Sequence, residues 1–250
     1  MFWQRKRETA GRMLADAQRL LAAGREAEAA GLYREAWARW GDLTAVYNLG
    51  TLYAQGRGVP QDFIQAACCY GKAEERGDLE AGKRKKKCLL DFAHQDLERR
   101  TTREIYEALD EFLRQTDPAR ATKQRLCDTV YDLAAYDLSK GAFDSAARLA
   151  RAGAEWGGDG RCQNILGVLY NRGAGVEKND LAALYWFDLA ADRGVEAAET
   201  DRDGILNAYH RSLSAAKFRT YMGYLADWCA AGTADVAQNS EKAQFWRAKM

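Results

Sequence analysis

Only two prolines, Pro60 and Pro118, interrupt the 250 residues. Alternating runs of β-branched residues are missing too, so the pattern gives no support to a sheet. Charge of one sign is lacking: 37 Lys and Arg stand against 36 Asp and Glu, a net +1. That balance removes any global attraction to nucleic acid or anionic lipid. No apolar run approaches the ~20 residues of a membrane span. The basic start "MFWQRKRETAGRML" is not followed by the apolar h-region of a signal peptide. A soluble protein of the cytoplasm is expected.

The six cysteines, Cys68, Cys69, Cys88, Cys127, Cys162 and Cys229, form no C-x-x-C. Two close pairs for a zinc site are therefore absent. They read as reduced thiols acting as small core residues, as suits a reducing compartment. Neither a metal nor a cofactor is expected.

What is present is alanine, leucine and charged helix formers, an all-helical composition. The stretch "LGTLYAQGRGVPQDFIQAACCYGKAEERG", ending at Gly77, has a gap-free second copy, "LGVLYNRGAGVEKNDLAALYWFDLAADRG", ending at Gly194. Leu49, Gly50 and Tyr53 match Leu166, Gly167 and Tyr170. Gly56 and Gly58 match Gly173 and Gly175. Ala66, Ala73 and Gly77 match Ala183, Ala190 and Gly194. Leu49 and Tyr53 share one helix face, and Gly50 beside them lets another helix approach. The G-x-G turn reverses the chain and permits positive φ. Ala66, Tyr70 and Ala73 form one stripe of a second helix. Such a hairpin cannot bury its own faces and must stack on neighbours.

Fainter copies fill the rest. Ala29, Tyr33 and Ala36 repeat the second-helix stripe, and 121–157 reads as a full hairpin turning at Gly141. The stretch Leu79–Gln115 reads as two more helices, bounded by Thr101-Thr102 and Pro118, and 82–118 is an irregular middle segment. Thr101-Thr102 with Glu104 has the pattern of a capping box. Further helices are expected near Glu196–His210 and Ser214–Ala231, then a polar loop between Gly232 and Asn239, then "SEKAQFWRAKM" as a last second helix. About thirteen helices in about seven hairpins fit the length.

At these residues the pattern resembles the Sel1-like repeat, a relative of the tetratricopeptide repeat. Two units match well, 45–81 and 162–198, and 121–157 is similar to a plain tetratricopeptide repeat. The resemblance implies an all-α, right-handed α-solenoid of helix-turn-helix repeats, here a single body over 1–250. It implies a non-catalytic scaffold that binds a protein or peptide on the concave face lined by first helices. By that geometry the concave positions are Thr44, Tyr47, Thr51 and Gln55 in the first unit. They are Asp128 and Tyr131 in the plain unit, and Arg161, Asn164, Asn171 and Arg172 in the second. These amide and guanidinium groups suit a peptide backbone or carboxylates. The resemblance also admits an immunity protein that neutralises a toxin by one-to-one binding. The disulfide-paired secreted subset is not implied, because the paired cysteines are missing.

Catalytic alternatives find little support. No G-x-x-x-x-G-K-[ST] occurs, and a helix, not a strand, precedes the G-x-G. His94 and His210 could serve an enzyme or enzyme regulator only beside a cysteine in a pocket. "DRDG" at Asp201–Gly204 has its glycine too early for a calcium loop. "GKRKKK" at Gly82–Lys87 reads as a solvated helix face, balanced by Glu104, Glu107, Asp110 and Glu111, and no nucleic-acid partner is expected. Among the tryptophans, Trp186 falls at a repeat core position, while Trp3, Trp37, Trp40, Trp156, Trp228 and Trp246 are unassigned.

Overall fold

The computed structural model describes residues 2–95, 97–233 and 235–250, with side chains from Glu8 onward except Arg120. Trp3 lies outside the described side chains. Thirteen α-helices run through the described residues. They are α1 (Phe2–Ala22), α2 (Glu26–Trp40), α3 (Leu43–Gln55), α4 (Phe63–Glu74), α5 (Leu79–His94), α6 (Thr102–Thr116) and α7 (Lys123–Lys140). Then follow α8 (Phe143–Ala152), α9 (Gly160–Arg172), α10 (Asp180–Ala191), α11 (Glu196–Ser212), α12 (Ala215–Ala231) and α13 (Ser240–Ala248).

The helix boundaries follow local chemistry. The Asp42 carboxylate accepts the Ala45 N–H at 2.9 Å and starts α3. At the start of α6, Glu104 accepts the Thr101 N–H at 2.7 Å and Thr101 Oγ1 accepts the Glu104 N–H at 3.2 Å, the reciprocal capping box. Helix α8 widens into a π turn over Gly153–Gly157, and Gly158 ends it with φ 67°.

Two compact units form, Met1–Gln95 with Glu111–Arg120, and Asp96–Asp110 with Ala121–Met250. In the first, Ala29, Ala36, Ala66 and Ala73 are fully buried beside the rings of Tyr33 and Tyr70. A Cβ on Gly50 would sit 3.1 Å from Cys69 Cβ, so α3 and α4 touch where only hydrogen fits. Phe92 and Phe112 pack with ring centroids 4.9 Å apart and planes tilted by 43° in the same core. The lysine run on α5 is exposed for the most part and pairs locally: Lys83 and Arg84 with Glu80, Lys85 with Glu74, Lys87 with Asp91. Three of the four acids expected to balance it are engaged at or along α6 itself. Glu104 is spent on the capping box, Glu107 pairs with Arg103, and Glu111 accepts from Gln115.

In the second unit the same construction recurs. Ala183 and Ala190 are fully buried, and a Cβ on Gly167 would lie 2.5 Å from the Phe187 ring. The G-x-G loops have one further task in both units. A Cβ on Gly58 would fall 2.3 Å from the Glu26 carbonyl carbon, and one on Gly175 would fall 2.4 Å from that of Phe143. Each loop therefore sits directly on the first turn of the second helix of the preceding hairpin. Arg57 reinforces the first contact with an ion pair to Glu26 at 2.6 Å.

The end of the chain repeats the hairpin a third time. Asp62 N–H donates to the Tyr53 carbonyl at 3.0 Å, Asn179 N–H to that of Tyr170 at 3.0 Å, and Asn239 N–H to that of Cys229 at 2.7 Å. Asp62, Asn179 and Asn239 each cap the following helix through a side-chain oxygen. Gln61 Nε2 donates to the Ala54 carbonyl, and Gln238 Nε2 to that of Ala230. Cys229 thus stands where the tyrosines stand, and Trp246, fully buried, stands where Trp186 stands. Trp37 and Trp40 pack partly buried on the first core, Trp228 is half-buried, and Trp156 is exposed.

Candidate functional site

The expected positions lie on α3 in the first unit and on α7 and α9 in the second. Asp159 caps α9 by accepting the N–H of Arg161 and Cys162, and so points the Arg161 side chain back along the helix start. Arg161 Nη2 donates to Asp159 at 2.6 Å and to Asp128 of α7 at 2.8 Å. The same guanidinium lies 4.5 Å from the centroid of the Tyr131 ring. Three of the expected positions, Asp128, Tyr131 and Arg161, are thereby brought into one cluster. The hydrogen bond from Arg161 holds the Asp128 carboxyl below its usual range, and Asp159 and Asp128 raise the guanidinium further.

At the other end of α9, Asn171 and Arg172 line a groove of about 410 Å³ between α9, α10 and α11. Its apolar lining is Val168, Phe187, Ile205 and Ala208, and polar groups from Lys178, Asp180, Asp201 and Tyr209 surround it. Tyr209 donates its hydroxyl to Asp180 Oδ2 at 3.3 Å, and burial together with that carboxylate pushes the phenol pKa up. Asp180 Oδ1 is buried without a hydrogen-bond partner among the described residues. Its lining is more polar than apolar, which suits hydrogen-bonding and charged contacts to a ligand. The α11 residues of this groove, Thr200 to Tyr209, carried no repeat signal, because α11 lies outside the aligned copies.

Asn164 lies midway on α9, half-buried, with its Oδ1 unpartnered. In the first unit, Tyr47 packs edge-on against Tyr70 at 5.3 Å, and Thr51 Oγ1 lies 3.0 Å from the Tyr70 hydroxyl. Tyr47 and Thr51 are thus half-buried and engaged, whereas Thr44 and Gln55 are exposed. Gln55 accepts from Arg57 at 3.3 Å.

The nucleophile option has a physical answer. Burial pushes the Cys69 thiol up to about 11, and those of Cys88 and Cys229 to about 12. Thiols held protonated are poor nucleophiles. His210 stacks on Phe218 at 4.0 Å, and His94 is exposed. No described helix is long and apolar enough to cross a membrane.

Comparison with known proteins bears on the fold. No match is found among curated proteins. A protective antigen present in uropathogenic Escherichia coli strains, displaying an SLR fold, is 21% identical over 97% of this chain and 54% of its own, with a TM-score of 0.35. The chain therefore spans about half of that relative's length. A Sel1 repeat protein from Oxalobacter formigenes is 24% identical over 88% of this chain and 75% of its own, with a TM-score of 0.28. The Sel1 repeat matches at residues 43–78, 160–195 and 221–246, two units read from the sequence and a third at its end. The chain is accordingly an all-α protein that carries three Sel1 repeats.

Proposed function

We propose that this protein is a non-catalytic interaction scaffold that holds a peptide segment of a partner protein on the α7–α9–α11 face. The groove beside Asn171 and Arg172 carries this reading. Its volume of about 410 Å³ and its mixed, mainly polar lining suit one or two polar side chains of a partner. Asp180 Oδ1 accepts no hydrogen bond and has only Lys178 Nζ at 3.8 Å beside it, which leaves it capacity to accept from a donor of the partner. The Arg161–Asp128–Tyr131 cluster extends the same face toward the start of α9. Protonated, reduced thiols are compatible with a cytoplasmic setting.

A photo-crosslinking amino acid tests this reading directly. Placed at Thr200, on the groove, it should trap a discrete protein. Placed at Lys86, on the solvated face of α5, it should not. Equal trapping at both positions would reject the groove.

A further inference from the structure

A second cavity in the same unit, of about 600 Å³, opens between the starts of α7 and α9 and the turn before α11. Its charged lining is Lys123, Arg161, Arg193 and Asp159, three cations against one anion. The anion is already spent. Asp159 is 6% exposed, and its two oxygens accept from the N–H of Arg161 and Cys162 and from the Arg161 guanidinium. Arg161 is held in turn by Asp128 and Asp159. Lys123 and Arg193, both exposed, have no ion-pair partner among the described residues, and with Asp128 and Asp159 both set against Arg161 the site keeps one net positive charge.

Arg193 is seated, not loose. A Cβ on Gly158 would lie 3.1 Å from its guanidinium, and one on Gly160 would lie 2.8 Å from Arg193 Cβ. Bare glycine backbone is therefore what lets Arg193 reach over the start of α9. The first-turn acids of α11, Glu196 and Glu199, are not among the residues that line the cavity. The volume exceeds that of one small ion and falls within the ~300–1,000 Å³ of sites for small organic ligands.

We propose that this cavity binds a phosphate monoester, whose oxygens accept from the two unpaired cations Lys123 and Arg193. The guanidinium of Arg193 gives planar paired donors to two phosphate oxygens, and Lys123 supplies a point charge. The ester is either a small phosphorylated molecule or a phosphorylated side chain of a protein. The site is separate from the α9–α11 groove and does not depend on it.

Isothermal titration of the full chain tests the proposal with inorganic phosphate, phosphoserine, a phosphoserine-centred peptide and its unphosphorylated form. Phosphoserine should bind saturably, and Lys123→Ala with Arg193→Ala should weaken it about tenfold or more, as expected for lost charge-assisted bonds. Arg172→Ala, in the other groove, should leave it unchanged. A phosphopeptide much tighter than phosphoserine assigns a protein source, and equal affinities assign a small phosphate ester. Absence of saturable binding by every phosphate probe, or equal binding by the double variant with its helical circular dichroism intact, would overturn the proposal. So would binding of the unphosphorylated peptide as tight as the phosphopeptide.

Discussion

Lys242 Nζ of α13 lies 2.5 Å from Asp188 Oδ2 of α10, and the Asp188 side chain is only 1% exposed. Arg202 of α11 reaches the other oxygen at 3.2 Å, and Lys242 also meets Asp192 at 2.6 Å. One buried carboxylate thus ties the last repeat to the second. Removing Lys242 leaves the buried Asp188 with Arg202 alone, a partial loss of compensation that costs less than the ~3 kcal/mol of a fully unpaired buried charge. Lys242→Met should lower the urea midpoint accordingly, and adding Asp188→Asn should restore part of the loss. If Lys242→Met alone has no effect, the tie is without energetic weight.

The loop glycines differ in what surrounds them. Gly58 and Gly175 combine positive φ with a backbone carbon 2.3–2.4 Å from any added Cβ. Gly77 has positive φ but nothing within 4 Å. Gly58→Ala should therefore cost about 3 kcal/mol, strain plus displaced backbone. Gly77→Ala should cost about 1 kcal/mol, the left-handed strain alone. Thermal unfolding of the two variants compares them, and equal losses would refute the seating of the loop on α2.

Asn239 caps α13 by accepting the Lys242 N–H at 3.0 Å. Asn239→Ala should destabilise by about 1 kcal/mol, and Asn239→Asp should be nearly neutral, since Asp62 does the same work in the first repeat. Chemical denaturation of both variants decides whether 221–246 is held like the other repeats.

The buried thiols give a pH signature. Folded Cys69, Cys88 and Cys229 stay protonated until pH 11 to 12, whereas a thiol in the unfolded chain ionises near pH 8.5. The folded state thus binds protons more tightly. The contribution is intact below about pH 8.5 and is lost as pH rises through that value toward 11 or 12. Unfolding midpoints should fall above about pH 9, and mutation of the three cysteines to alanine should flatten that decline. Thiol-reactive dye should label Cys68, the one half-buried cysteine, before the buried five.

The hairpins of 43–78 and 160–195 were legible because their loops have the same length, so every matched glycine and alanine falls in register. The third was not. Seven positions separate Gly232 from Asn239 where six separate Gly56 from Asp62, and Ala226 and Cys229 replace the Gly and Tyr that mark the motif. Trp246 was left unassigned for the same reason. At the site, Arg161 with Asp128 and Tyr131 could be placed on one face from repeat geometry. Asp180, Ile205 and Tyr209 could not, because the groove depends on how α11 lies against α9, and α11 matches no repeat. Lys123 and Arg193 were missed because their meeting depends on the glycines at 158 and 160, whose closeness to the α10–α11 turn is a tertiary fact.

The central claim is that a partner lies in the groove at Asn171 and Arg172. Affinity capture from extract of the source cells should compare wild type, Arg172→Glu and Lys86→Glu. The account predicts one discrete protein partner, kept by Lys86→Glu and lost with Arg172→Glu. A partner set that is identical for all three would contradict it.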